Sequence, residues 1–164
     1  RSQGDGEKII FVSQGGGSMQ IVQHDIRNGQ KRVLATSTEP ITSLSVSQDY
    51  LAWTQGTKLV VKKLKGNQEV ALQIPDGIQF SDVELHTLEP RLLVVANFED
   101  KKNKDIYQID LTKKCGTRLT FHPGDESSPS FGPEGKYVFF VSNRSQVNQI
   151  YATAIRDNLP CKSW

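Results

Sequence analysis

The residues able to do chemistry are few, and their spacing argues against most of it. His24, His86 and His122 lie far apart in the chain, each without a second ligand at metal-binding spacing. His24-Asp25 ends an apolar run and reads as an exposed, solvated pair. Asp125 and Glu126 are adjacent acids, but neighbours on an extended chain face opposite ways, so they cannot share one site as a carboxylate dyad. Gly16-Gly17-Ser18-Met19-Gln20 lacks the last glycine of a nucleophile elbow. Gly15-Gly16-Gly17 lacks the Gly-Lys-Ser/Thr that completes a phosphate loop. Both read as a hairpin tip. Asn143-Arg144-Ser145 fits a glycosylation triplet, a pattern that arises often by chance. We therefore expect no catalytic residue, no metal and no cofactor.

Cys115 and Cys161 are too far apart in sequence for a metal knuckle or a C-x-x-C redox pair. They permit one disulfide, which requires their Cα atoms within about 7 Å. Blade geometry, as read below, puts their turns at an outer rim where neighbours are distant, unless the C-terminal tail reaches back. Pairing therefore stays open.

The elements behind these residues come from a chain of 164 residues, 36% hydrophobic and 23% charged, with a net charge of +2. So weak a balance points to neither nucleic acid nor an anionic membrane. Lys62-Lys63-Leu64-Lys65 and Lys101-Lys102-Asn103-Lys104 read as strand edges and loop tips. No apolar run approaches the roughly 20 residues of a membrane helix. The chain starts at Arg1 rather than Met, so we expect an upstream segment to have been removed.

Four apolar runs recur: residues 9–13, 50–54, 92–96 and 138–142, whose ends are spaced by 41, 42 and 46. A second series begins at Ile21, Leu59, Ile106 and Ile150, and a third segment follows each start by 13 residues, at Leu34, Leu72, Leu119 and Ser163. These short, β-branched and aromatic segments read as strands. A further segment precedes the first series in three repeats, at residues 41–46, 80–85 and 128–131. Asn28-Gly29, Asp5-Gly6 and Pro133-Glu134-Gly135 supply turn chemistry. Each repeat is thus a four-stranded antiparallel meander the size of a propeller blade. The expected fold is all-β: one β-propeller domain over residues 1–164, with blades near 1–36, 37–74, 75–121 and 122–164. Trp53, Phe80, Phe139 and Phe140 are expected to fill the wedges between blades. The first blade lacks its inner strand, so another segment supplies it, the ring stays incomplete, or two chains pair as a homodimer.

The stretch from Arg118-Leu119-Thr120 through Asp125-Glu126, Pro129-Ser130-Phe131-Gly132-Pro133-Glu134-Gly135, Ser142-Asn143-Arg144 and Ile150-Tyr151 resembles the TolB-type blade motif. That motif runs R-L-T, an acidic turn, P-S-[WF]-S-P-D-G, a strand, S-x-R and I-Y. Gly132 and Glu134 depart from it, and the match covers about a quarter of the chain. Within it Pro129 is expected to start the inner strand, and Ser142 and Arg144 to satisfy polar groups where the next strand ends. The resemblance implies a six-bladed propeller preceded by a small α/β domain, whereas this chain has four repeats.

The resemblance also implies a non-catalytic, periplasmic or secreted module that binds a cell-envelope protein, such as a peptidoglycan-associated lipoprotein, without membrane insertion. The alternatives are a propeller related to prolyl-oligopeptidase-like hydrolases and a small-ligand-binding propeller. In a meander blade, the inter-blade loops emerge on the same face as those between the second and third strands. That face collects His122, Asp125, Glu126, Asn143, Arg144, Lys101 and Lys102, the residues expected to bind a partner through a polar, salt-sensitive interface.

Overall fold

The computed structural model describes residues 7–98, 102–156 and 159–163. Strands β1 (Lys8–Gly15), β2 (Ser18–Asp25) and β3 (Lys31–Ser37) make the first antiparallel sheet. β4 (Ser43–Val46), β5 (Tyr50–Gln55) and β6 (Lys58–Lys63) make the second. The third holds β7 (Phe80–Leu85), β8 (Arg91–Ala96), β9 (Asp105–Asp110) and β10 (Cys115–Arg118). The fourth holds β11 (Glu126–Phe131), β12 (Tyr137–Ser142) and β13 (Gln149–Ala154). The helical content among the described residues is one 3-10 turn, Pro133–Gly135. The fold is an all-β propeller arc of four antiparallel sheets.

The expected turns form where glycine allows a left-handed backbone. Gly16 and Gly17, at φ 60° and 82°, close the β1–β2 hairpin, and Gly29, at φ 71°, sits in the β2–β3 turn. Gly135, at φ 62°, turns β11 into β12. Asp5 and Gly6 lie outside the described residues.

Four-stranded blades were expected, yet among the described residues only the third sheet has four strands. The outer strand of the second is reduced to a bridge between Lys62 and Glu69, flanked by the polar, glycine-bearing stretch Lys65-Gly66-Asn67-Gln68. In the fourth, Lys162 leaves its expected place and bridges Gly116 of β10 instead. Cys161 is bonded to Cys115, and that covalent tie holds the tail against the third sheet.

Repeat two is also one residue out of step with its expected register. Val12, Val95 and Val141 pair with Ile21, Ile106 and Ile150, but Leu59 pairs with Thr54. The counterpart of Ser13, Ala96 and Ser142 is therefore Gln55, the end of β5. A one-residue slip exchanges the faces of a strand, and so Leu51 and Trp53 face the first sheet while Ala52 faces the third.

Core packing follows this alternation. Leu92, Val94 and Ala96 join the layer against the second sheet, and Leu93 and Val95 pack with Val138 and Phe140 of the fourth. Trp53, Phe80 and Phe140 are buried between sheets as expected. Phe139 is not: it is 43% exposed, because β12 turns it to the side of the last sheet that no described sheet covers. Pro129 lies within β11 rather than at its start. It follows Ser128, at φ 50°, in a register shift of the β11–β12 ladder, where a missing N–H costs nothing.

Candidate functional site

Loops from three sheet connections converge at one end of the last two sheets. The Asp125 N–H donates to Asn143 Oδ1 at 2.9 Å, and the Asn143 N–H donates back to the Asp125 carbonyl at 3.3 Å. The Lys104 N–H donates to Asp125 Oδ1 at 3.2 Å, tying in the β8–β9 loop. Gly124 is pressed so closely on Asn143 and Arg144 that a Cβ would fall within 3.0 Å of the Arg144 backbone. His122 Nδ1 accepts from the Gly124 N–H at 3.3 Å. The structure thus brings His122, Asp125, Glu126, Asn143 and Arg144 together. Lys102 is exposed on the adjoining loop, and Lys101 lies outside the described residues.

Glu126 does not offer itself to a partner at this surface. It is only 2% exposed, and its Oε1 accepts from Ser142 Oγ and Arg144 Nη2, both at 2.9 Å. Oε2 has no hydrogen-bond partner among the described residues. Arg144 Nε donates to Ser142 Oγ at 3.0 Å, and its guanidinium lies over the rings of Phe140 and Tyr151. The S-x-R of the blade motif is therefore an internal brace against a buried carboxylate, beyond the strand-end role expected of it. The exposed polar surface here is Asp125, Asn143 and Lys102, with part of His122 and Arg144.

A second brace stands beside the first and escaped sequence reasoning. Asp105, 1% exposed, accepts from Arg118 Nη2 at 2.6 Å and from Thr120 Oγ1 at 3.2 Å. Thr120 Oγ1 in turn accepts the Ile106 N–H at 2.9 Å. Burial pushes the Asp105 carboxyl above its ordinary value, against the pull of Arg118. The R-L-T triplet is explained by these contacts: Arg118 pairs with Asp105, Leu119 enters the core, and Thr120 satisfies the start of β9. A charged residue opening a strand, 13 positions before an arginine, was the signal available.

Asn97 repeats the fastening of Asn143 one sheet earlier. Its Oδ1 accepts the Gln79 N–H at 2.7 Å, joining an inter-sheet loop to the loop after β8. Among the described residues no group of three His, Cys, Asp or Glu side chains could hold a metal ion. No helix there is long and apolar enough to cross a membrane.

No family model matches the chain. The Tol-Pal system protein TolB of Bordetella pertussis is 28% identical over 170 aligned residues, covering 90% of this chain and 35% of that protein. The crystal structure of TolB from Acinetobacter baumannii superposes on 98% of the chain and 42% of its own, with a TM-score of 0.76 and 20% identity. These blades are TolB-like. The likeness extends past the motif of the fourth sheet to nearly the whole arc, including repeat two, whose sequence shows only spacing. The chain spans about a third of the length of the curated relatives it matches. TolB-like geometry is a general scaffold, for the tricorn protease also superposes on 92% of the chain at a TM-score of 0.69, with 12% identity.

Proposed function

We propose that the chain is a non-catalytic protein-interaction module of the Tol-Pal type, acting in the periplasm on a cell-envelope protein. The observation that carries this reading is the likeness to a Tol-Pal system protein along 90% of the chain. The loop cluster around Asp125 and Asn143 gives it a place to act. A rigid pair of sheets holds these loops, and two buried acid–arginine braces fix their bases. The partner proposed from the resemblance is a peptidoglycan-associated lipoprotein, met by Asp125, Asn143, Lys102 and the exposed parts of His122 and Arg144. The apolar outer faces of the first and last sheets favour self-association as a second contact.

The test is calorimetric titration of the lipoprotein's soluble domain into the full chain at two salt concentrations. Rim charges act mainly on encounter and salt dependence, so we expect Asp125→Ala with Lys102→Ala to weaken binding by about tenfold, or roughly 1.4 kcal/mol. Binding that ignores both substitutions but is lost on changing the turn at Asn28 would move the site to the opposite face.

A further inference from the structure

The inner strands of neighbouring sheets are laced together by side-chain acceptors. Ser43 Oγ of β4 accepts the Val83 N–H of β7 at 3.1 Å, and Ser45 Oγ accepts the Leu85 N–H at 2.9 Å. One sheet further on, Asp82 accepts the Ser128 N–H at 3.2 Å, and Glu84 accepts the Phe131 N–H at 3.4 Å. In both cases the earlier strand presents acceptors at alternate positions. The later strand spends on them N–H groups that its own ladder leaves free.

β4 presents the same need in the other direction. The Ser47 N–H bonds to the Tyr50 carbonyl, so antiparallel alternation gives Ser45 and Ser43 to β5. Leu44 and Val46, the register counterparts of Val83 and Leu85, turn their N–H groups toward the central cleft. No described strand stands before β4 to offer acceptors.

The place for such a strand is the free edge of β1. The Ile26 N–H bonds to the Glu7 carbonyl, which sets the β1–β2 alternation and gives the Ile9 and Phe11 main chain to β2. Ile10 and Val12 therefore turn N–H and C=O to the opposite edge, where no described strand pairs. A cleft of about 550 Å³ opens beside it, lined by Phe11, Val12, Thr42, Leu44, Asp82 and Pro129. An unpaired edge next to a cleft is a template for strand addition.

We propose that this edge is a docking site for an extended segment of a partner protein, added antiparallel to β1 as the innermost strand of the first sheet. The chemistry of the segment follows from the contacts it must make. It is as long as β4 or β7, which have four and six residues. It carries Ser, Thr, Asp or Glu at two alternate positions, to accept the Leu44 and Val46 N–H groups. It has no proline where its main chain meets Ile10 and Val12. The site lies in the cleft and is independent of the loop cluster at Asp125.

The probe is the capped peptide Ile-Thr-Ser-Leu-Ser-Val-Ser, copied from residues 41–47, added to the full wild-type chain. Fluorescence anisotropy reads binding, and NMR reads amide exchange residue by residue. Variants are placed in the peptide, so folding of the protein is not at issue. At saturation, exchange at Ile10, Val12, Leu44 and Val46 slows by about tenfold or more, while Ile9 and Phe11, already bonded to β2, change little. Replacing both acceptor serines of the peptide by alanine weakens binding by about tenfold, and proline in place of the serine between its leucine and valine, whose N–H meets β1, abolishes it. Absence of saturable binding overturns the proposal, as does a proline peptide that binds equally well. Ile10 and Val12 amides already as slow as Phe11 in the free protein would show the edge covered by the chain itself. A dimer by light scattering whose edge the peptide cannot enter would give the edge to a second copy. Either result would overturn the proposal too.

Discussion

At the scale of single residues, the site rests on charges that are buried rather than displayed. Removing Arg144 would leave the Glu126 carboxylate inside the protein with Ser142 alone, a change that costs about 3 kcal/mol for a buried pair. Arg144→Ala should lower stability by that order in urea titration, and Arg144→Ala with Glu126→Gln should recover part of it. Equal loss in both variants would contradict the brace. Gly135 is the second sensitive residue. Its φ is 62°, and a Cβ would meet Arg91 Nη2 at 2.3 Å and His86 Nε2 at 2.5 Å. Gly135→Ala should cost about 1–3 kcal/mol by the same measurement. His86 adds a pH dependence. Burial first, then the Arg91 charge, holds its pKa below the ordinary 6.5. A base with a lowered folded-state pKa is stabilising above its unfolded value, so stability falls as pH drops through about 6.5 toward the folded pKa. His86→Asn should flatten that slope in denaturation between about pH 7.5 and about pH 5.5. The second brace was hidden because sequence shows Arg118 and Asp105 as two surface-type residues, and only the β9–β10 pairing, with Arg118 opposite Tyr107, sets Arg118 diagonally beside Asp105.

At the scale of elements, the strands that keep a fixed hairpin offset were the legible ones. The offset of 13 holds in space for the first three repeats: Ile21 lies opposite the start of the Leu34–Ala35 bulge, Val61 takes the Val70 N–H, and Ile106 takes the Leu119 N–H. In the fourth it is a coincidence of numbering, because the tail crosses to β10. Repeat two slipped because its apolar run ends in Trp53-Thr54-Gln55, where the small residue Thr54 imitates the Ser13, Ala96 and Ser142 endings. The disulfide belongs to this scale as well. Cys115 and Cys161 stand 5.4 Å apart at Cα, across 46 residues of chain that include the whole fourth sheet. Closing so long a loop is worth about 4 kcal/mol in the chain-entropy picture. Cys161→Ser should reduce stability by up to that amount and free the tail from Gly116. Intact mass with and without reductant checks the bond, and urea titration checks the cost. Two free thiols in protein from an oxidising compartment would contradict it.

At the scale of the whole molecule, four sheets form an arc whose end faces are apolar and uncovered by any described sheet. Tyr137, Phe139 and Ile150 are 52%, 43% and 77% exposed on the last sheet, and Val33 is 50% exposed on the first. Such faces promote association. Phe139→Ser with Ile150→Lys should therefore reduce concentration-dependent self-association in sedimentation experiments, with only about 0.5 kcal/mol of change in monomer stability. The same architecture divides the molecule into two ends with different loops. One collects the fastened loops of residues 122–126 and 143–148, and the other collects the tight turns at Asn28-Gly29 and Pro133-Glu134-Gly135. The end that a partner covers distinguishes them. Hydrogen–deuterium exchange on the full chain, with and without a saturating peptidoglycan-associated lipoprotein, measures this directly. Slowed exchange across residues 122–126 and 143–148 with the tight turns unchanged is the expected result, and protection confined to those turns, or none at either end, would rule out partner binding at the fastened loops.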